Sequence, residues 1–299
     1  MRIVNNCVKL FCVLAVILVC AERLFGWGFW GHKEINKRAI QLLPTPMKDF
    51  FLAHANYISE HAVDPDMRRF RDTLEAYNHY IDVDYYGTYP FTALPRNYDS
   101  AVVKFGLANV RKQGIVPWRI AAYTDSLCNA MKKRDEQAVL HFASELGHYV
   151  ADAHVPLHAV VDYDGVQRGQ KGVHKRWESD YLERFGQAYD FPTQGAKYIG
   201  DPLIYAFNTI LESYSFADSV FYADAEAQRK VPPTKRIGSV RSHGDTVLVF
   251  ADAYYDSLKA LDRGLAERRM QKAIVALASY WYTAWVNAGK PELPTAKKP

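Results

Sequence analysis

The stretch Leu146-Gly-His-Tyr-Val-Ala-Asp-Ala-His-Val-Pro-Leu-His158 decides the reading of this chain. The apolar spacing from Glu136 to Ala153 is helical, and residues four apart on a helix share one face. His148 and Asp152 therefore reach out from the same side of one helix, suited to gripping one metal ion. Pro156 ends that helix and lets His158 fold back from the loop that follows.

Downstream, His174-Lys-Arg-Trp-Glu178 repeats the arrangement, a histidine and a carboxylate again at i, i+4. A single pair of this kind is more often an exposed helix face. Two pairs with His158 between them are hard to explain by packing. Upstream lie Asp64 in Glu-His-Ala-Val-Asp-Pro-Asp, His79 in Asn-His-Tyr-Ile-Asp, and His32 at the end of Trp27-Gly-Phe-Trp-Gly-His. Taken singly these have plain readings: Asp64 a turn residue before Pro65, His79 a hydrogen-bonded core histidine, His32 an ordinary helix residue. Their order along the chain changes the odds.

In that order the motifs resemble the zinc-dependent phospholipases C and the related single-strand-specific nucleases of the nuclease P-one and nuclease S-one type. The resemblance runs from Trp27 to about Asp180 in motifs and more loosely to Trp285 in helical pattern. It implies an almost entirely α-helical protein with three Zn2+ ions in a cleft. One ion would sit on Asp64, His79, His148 and Asp152, and a second on His158, His174 and Glu178. The third would sit on His32, on Asp152 as a bridge, and on the amine and carbonyl of Trp27, the first mature residue in the family. Imidazole and carboxylate ligands suit zinc independently of the likeness, and clustered dications activate water and neutralise phosphodiester oxygens. Asp64 is the candidate catalytic carboxylate; Arg68, Tyr80 and Asp82 are candidate substrate residues.

The substrate signals are mixed. Trp27-x4-His32, Trp177 within the second pair, and Tyr80 beside His79 resemble the nucleases. Glu178 in place of aspartate, the segment Gly114-Ile-Val-Pro-Trp118, and the lack of disulfides in the mature chain resemble the phospholipases. The expectation is an exported phosphodiesterase that acts on phospholipid head groups; the alternatives are a single-strand-specific nuclease and a non-catalytic zinc-binding helical protein. No obligate protein partner is indicated.

The rest of the chain fits a large helical protein. Its 299 residues are 49% hydrophobic, 23% charged and 14% aromatic, which excludes a disordered or fibrous class, and a net charge of +4 is too small to imply nucleic-acid binding by charge alone. The spacing predicts helices over 100–112, 117–132, 136–153, 174–185 and 202–213, and one starting at Thr45-Pro46 and running toward His61. Two more are predicted between 245 and 287, parted near Gly264, with loops at 85–99 and 230–244. The fold class is all-α, a single multi-helix domain over 27–299.

Arg2 and Lys9 precede an unbroken apolar run, Leu10 to Cys20, too short to span a bilayer and suited to an export leader over residues 1–26. Cleavage after Ala21 fits the small-residue rule better; cleavage after Gly26 is what a terminal Trp27 requires. A lipid anchor at Cys20 is the minority alternative. Cys7, Cys12 and Cys20 leave with the leader, so Cys128 has no partner for a disulfide, and no membrane span remains.

Overall fold

The computed structural model describes residues 27–242 and 245–293, so the expected leader, the expected cleavage sites and Cys20 lie outside the described residues. The fold is all-α, 69% helical, with one two-stranded hairpin.

Its centre is α8 (Glu136–Ala153), capped by Asp135, whose side chain accepts from the Ala138 amide. Nearly every residue of its last three turns is buried. A helix buried on all sides must be wrapped, and three long helices wrap it: α1 (Gly28–Gln41), α7 (Val116–Lys133) and α14 (Leu265–Asn287). The wrapping is tight where α1 crosses. A Cβ on Gly147 would lie 1.9 Å from Asn36 Oδ1, and the buried Asn36 amide donates to Ile58 O and Ser144 O, both at 3.0 Å. Trp281 of α14 donates its indole N–H to Ala143 O at 3.1 Å.

Between α1 and α7 the chain runs through short pieces: α2 (Met47–Ala53), α3 (Ala55–Glu60), a 3-10 turn at His61–Val63, and α4 (Asp64–Arg68). Further 3-10 turns at Glu75–Asn78 and Val83–Tyr86 lead to α5 (Tyr98–Phe105) and α6 (Leu107–Lys112). The helix expected over 100–112 is split by Gly106, which takes φ 82 and which other residues adopt only with strain.

After α8, Pro156–Ala159 forms a 3-10 turn, and α9 (Val173–Lys175), a π-helical turn at Arg176–Asp180 and α10 (Tyr181–Phe185) follow as one helical run. The helix expected to end at Ser213 continues as α11 (Pro202–Lys230). The segment expected to be a loop holds α12 (Pro233–Arg236) and strand β1 (Ile237–Ser242), which pairs antiparallel with β2 (Asp245–Phe250). β2 also takes residues expected to be helical; α13 (Asp252–Asp262) starts after it and ends before Gly264.

The C-terminal half secures the end of α8 next to the metal motif. The last carbonyls of a helix lack intrahelical donors. Here Ser213 Oγ donates to Ala153 O at 2.6 Å, and the buried Arg269 donates to His154 O at 2.9 Å.

Candidate metal centre

Three groups of side chains converge at the inner face of α8, each able to hold an ion: His32, Asp66 and His148; His79, His148 and Asp152; and His158, His174 and Glu178. α1 supplies His32, α4 Asp66, the turn after Asn78 His79, and α8 His148 and Asp152. The 3-10 turn after Pro156 supplies His158, and the run from α9 into its π-turn supplies His174 and Glu178. All are buried except His174, which is partly open.

Asp152 lies at the middle. Its carboxylate is 2.9 Å from His79 Nδ1, 3.2 Å from His148 Nε2, 3.5 Å from His32 Nε2 and 3.8 Å from His158 Nδ1. His148 Nδ1 donates to Ala62 O at 2.8 Å and His158 Nδ1 to His79 O at 2.7 Å. A carbonyl only accepts, so each Nδ1 carries a proton and each Nε2 faces the centre. Glu178 lies 2.8 Å from His174 Nε2 and 3.4 Å from His158 Nε2.

The inward atoms fit a cation and little else. His32 Nδ1 and Nε2, Asp66 Oδ2, Asp152 Oδ1, the Nε2 atoms of His158 and His174, and both Glu178 oxygens are buried without a hydrogen-bond partner. Unsatisfied buried polar atoms each cost about 1–3 kcal/mol, so this concentration in one place calls for a ligand. The titration of the same groups follows. Burial would lower the His148 imidazole, but Asp152 and Asp66 overcome it and hold it at about 9. Burial is likewise overcome at His158 by Asp152 and Glu178, again to about 9. Asp152 is driven well below the carboxylate range, burial being outweighed by His148 and His158. His32 is pushed well down, first by burial and then by His148.

Asp64 does not join the ligands with which the resemblance groups it. It is only half-buried, its Oδ2 2.7 Å from His61 Nδ1, and it belongs to none of the three groups. Asp66, fully buried, takes the inward position. Both residues sit in the first turn of α4 around Pro65, and at about 100° per residue two positions apart point to nearly opposite sides. Arg68 is turned away as well: it makes a two-pronged bond to Glu145, both contacts 2.7 Å, and a 2.8 Å bond to Glu75. Tyr80 donates its hydroxyl to Lys112 O at 3.0 Å, which fixes the ring. Asp82 stays beside the centre; burial, then Asp84, pushes its carboxyl up to about 7 against the pull of His158.

Trp27 is buried against the motif. Its indole donates to Ala151 O at 2.5 Å, its ring lies 5.7 Å from that of Trp177, and Gly28, at φ 55, lies against Ser179. The residues before Asp152 and around Glu178 thus hold the start of α1 in place. His154 and His141 lie outside the groups, the former donating to Val150 O and the latter beside Glu145.

Sequence reasoning missed Glu75. Its Oε1 faces His79 Nε2 at 3.6 Å and accepts from Tyr149 OH at 2.5 Å. Burial would raise the carboxyl, but the facing His79, Arg68 and Tyr149 hold it well below its ordinary value. It orients the ring whose other nitrogen points at the centre. Its position four residues before His79 was the available signal.

A cavity of about 620 Å3 reaches the centre at His174, lined also by Tyr163, Asp162, Asp164, Lys171 and the outer strand β2.

The comparisons with known proteins fall on this geometry. No family model matches the chain, and no curated protein matches it in sequence. In structure it is similar to clostridial alpha-toxins. The alpha-toxin of Clostridium absonum aligns with a TM-score of 0.50 and 11% identity over 87% of this chain and 64% of that one. The alpha-toxin of Clostridium perfringens from an avian strain aligns with a TM-score of 0.50 and 13% identity over 90% and 65%. The chain spans just under two thirds of the length of these toxins. Identity this low speaks for the fold alone, the all-α architecture that the chain shares with these toxins over most of its length.

Proposed function

We propose that the chain is an exported phosphodiesterase that works with three zinc ions and acts on phospholipid head groups. The observation that carries this reading is the cluster of buried, unpartnered nitrogen and oxygen atoms around Asp152. His79, His148, Asp152 and Asp66 would hold one ion, His158, His174 and Glu178 a second, and His32, Asp152 and the terminal amine of Trp27 a third. Bound there, the ions would supply positive charge for phosphoryl oxygens and activate water.

The chain's own residues do the rest. Ala62 O and His79 O fix the His148 and His158 tautomers so that Nε2 is free to bind. Asp66 takes the role expected of Asp64: its unpartnered Oδ2 is the carboxylate atom available to orient water or take its proton. Asp152 and Glu178 bring the negative charge that lets several cations share one small space.

A purely structural zinc site would be closed on all sides. Here a cavity opens at His174, which supports a substrate site. The nuclease reading keeps one observation in its favour: Tyr163 lies edge-on 5.3 Å from His174 at the cavity wall, and an exposed ring can stack on a base. Assay of the zinc-loaded protein on phosphatidylcholine and on single-stranded DNA in parallel tests the proposal. Hydrolysis of the lipid in excess of the DNA is expected; faster cleavage of DNA would assign the nuclease activity, and absence of both would overturn the phosphodiesterase reading.

A further inference from the structure

One wall of the cavity beside His174 has no part in holding metal. Val247–Phe250 of β2 form it, and Val161, Val166 and Lys171 line the same cavity. The base of the hairpin is anchored: Phe250 packs 4.4 Å from the Tyr254 ring and under the Arg176 guanidinium at 4.6 Å, and Ala251 N donates to Arg236 O at 2.8 Å. Beyond that anchor burial stops. Leu248 lies on the same strand face as Phe250, two residues farther out, and is 74% exposed. Val247, Val161 and Val166 are also exposed, so branched aliphatic side chains from both segments line one opening. Scattered exposed apolar residues need no explanation; a group that rims the entrance to a catalytic cavity does.

Most polar groups of this rim have partners. Asp162 accepts from Gln167 N and pairs with Arg168, Asp164 accepts from Gly172 N, and Asp180 is shared between Lys175 and Tyr255. Lys171 is exposed and has no ion pair among the described residues.

We propose that this rim seats on a phospholipid surface, with Leu248, Val247, Val161 and Val166 entering the head-group boundary and Lys171 meeting lipid phosphate. The proposal rests on the phosphodiesterase reading and names the form in which its substrate is met. Aliphatic side chains beside a free cation are the chemistry of an interfacial contact. A groove for single-stranded nucleic acid would instead offer a row of cations interleaved with stacking rings.

The test uses the zinc-loaded protein, the double variant Leu248→Asp/Val166→Asp, and Leu248→Trp. Sedimentation with vesicles of phosphatidylcholine containing phosphatidylserine is measured beside turnover of a soluble chromogenic phosphodiester. The acidic double variant is expected to lose vesicle binding and to fall about tenfold or more further in rate on vesicles than on the soluble ester; Leu248→Trp is expected to bind vesicles more tightly. Equal vesicle binding by all three proteins, or an equal fall of both rates, would overturn the proposal, as would loss of single-stranded DNA binding in the double variant with no vesicle binding by any of the three. If the unaltered protein cleaves no phosphodiester, the functional reading fails by itself, and sedimentation still decides the docking surface.

Discussion

At the scale of single residues, Asp66 and Asp64 separate the geometric account from the motif. Asp66→Asn removes a buried carboxylate that faces His148 and His79, at 3.8 and 3.7 Å, and is expected to weaken zinc binding and cut phosphodiester turnover by about 100-fold or more. Asp64→Asn touches only a half-buried contact with His61 and is expected to leave both within about twofold. Metal content and turnover of the two variants check this; the reverse ranking would restore the assignment to Asp64 that the resemblance implies. The sequence could not distinguish them, because both are aspartates flanking one proline in a motif-compatible position, and only the rotation of α4 against α8 decides which is buried. His148, Asp152, His158, His174 and Glu178 were legible because i, i+4 spacing and a helix-ending proline leave little freedom. The imidazoles also set a pH response. In zinc-free protein, His148 and His158 stand near 9, above the unfolded value of about 6.5. The stability they contribute is fully present below pH 6.5 and is lost as pH rises through 9. The melting temperature of chelated protein is therefore expected to fall across that window while zinc affinity climbs, since the metal must displace those protons. A melting temperature that stays flat or rises from pH 6.5 to 9 would contradict the assignment.

At the scale of elements, the crossing of α1 over α8 controls the site. Gly147 sits directly before His148, and His32 of α1 stacks on the His148 ring at 3.9 Å. Gly147→Ala would drive its Cβ into Asn36. Helix propensity alone favours alanine, so a stabilised protein would be the outcome without this contact. The contact should win, costing about 1–3 kcal/mol and loosening the ion shared with His32; thermal unfolding and metal titration of the variant measure the two effects. Burial periodicity made α7 and α8 legible nearly to the residue, and Gly264 marked the break between α13 and α14. The extension of α11 to Lys230 and the hairpin after it were not legible. Residues 214–230 mix aromatic, acidic and small side chains with no helix stop to count from, and Pro232-Pro233 with several basic residues gives the composition of a loop. Strand pairing of Ile237–Ser242 with Asp245–Phe250 is decided by contact with the helical body through Phe250, which local sequence does not encode.

At the scale of the whole molecule, a helical body closes around α8 and brings ligands from both ends of a long stretch of chain to one face of it. The C-terminal helices contribute no ligand, yet Arg269 and Ser213 hold the carbonyls at the end of α8, next to Asp152. Metal and fold are therefore expected to depend on each other: ions withdraw the cost of the unpartnered buried atoms, and the packed helices hold those atoms within reach. The measurement that tests this most directly is a titration of zinc into chelated protein that begins at Trp27, with hydrolysis of a chromogenic phosphodiester followed at each addition. The account predicts no turnover after chelation and recovery that levels off near three ions per chain. Turnover that survives chelation, or recovery complete at a single ion, would contradict it.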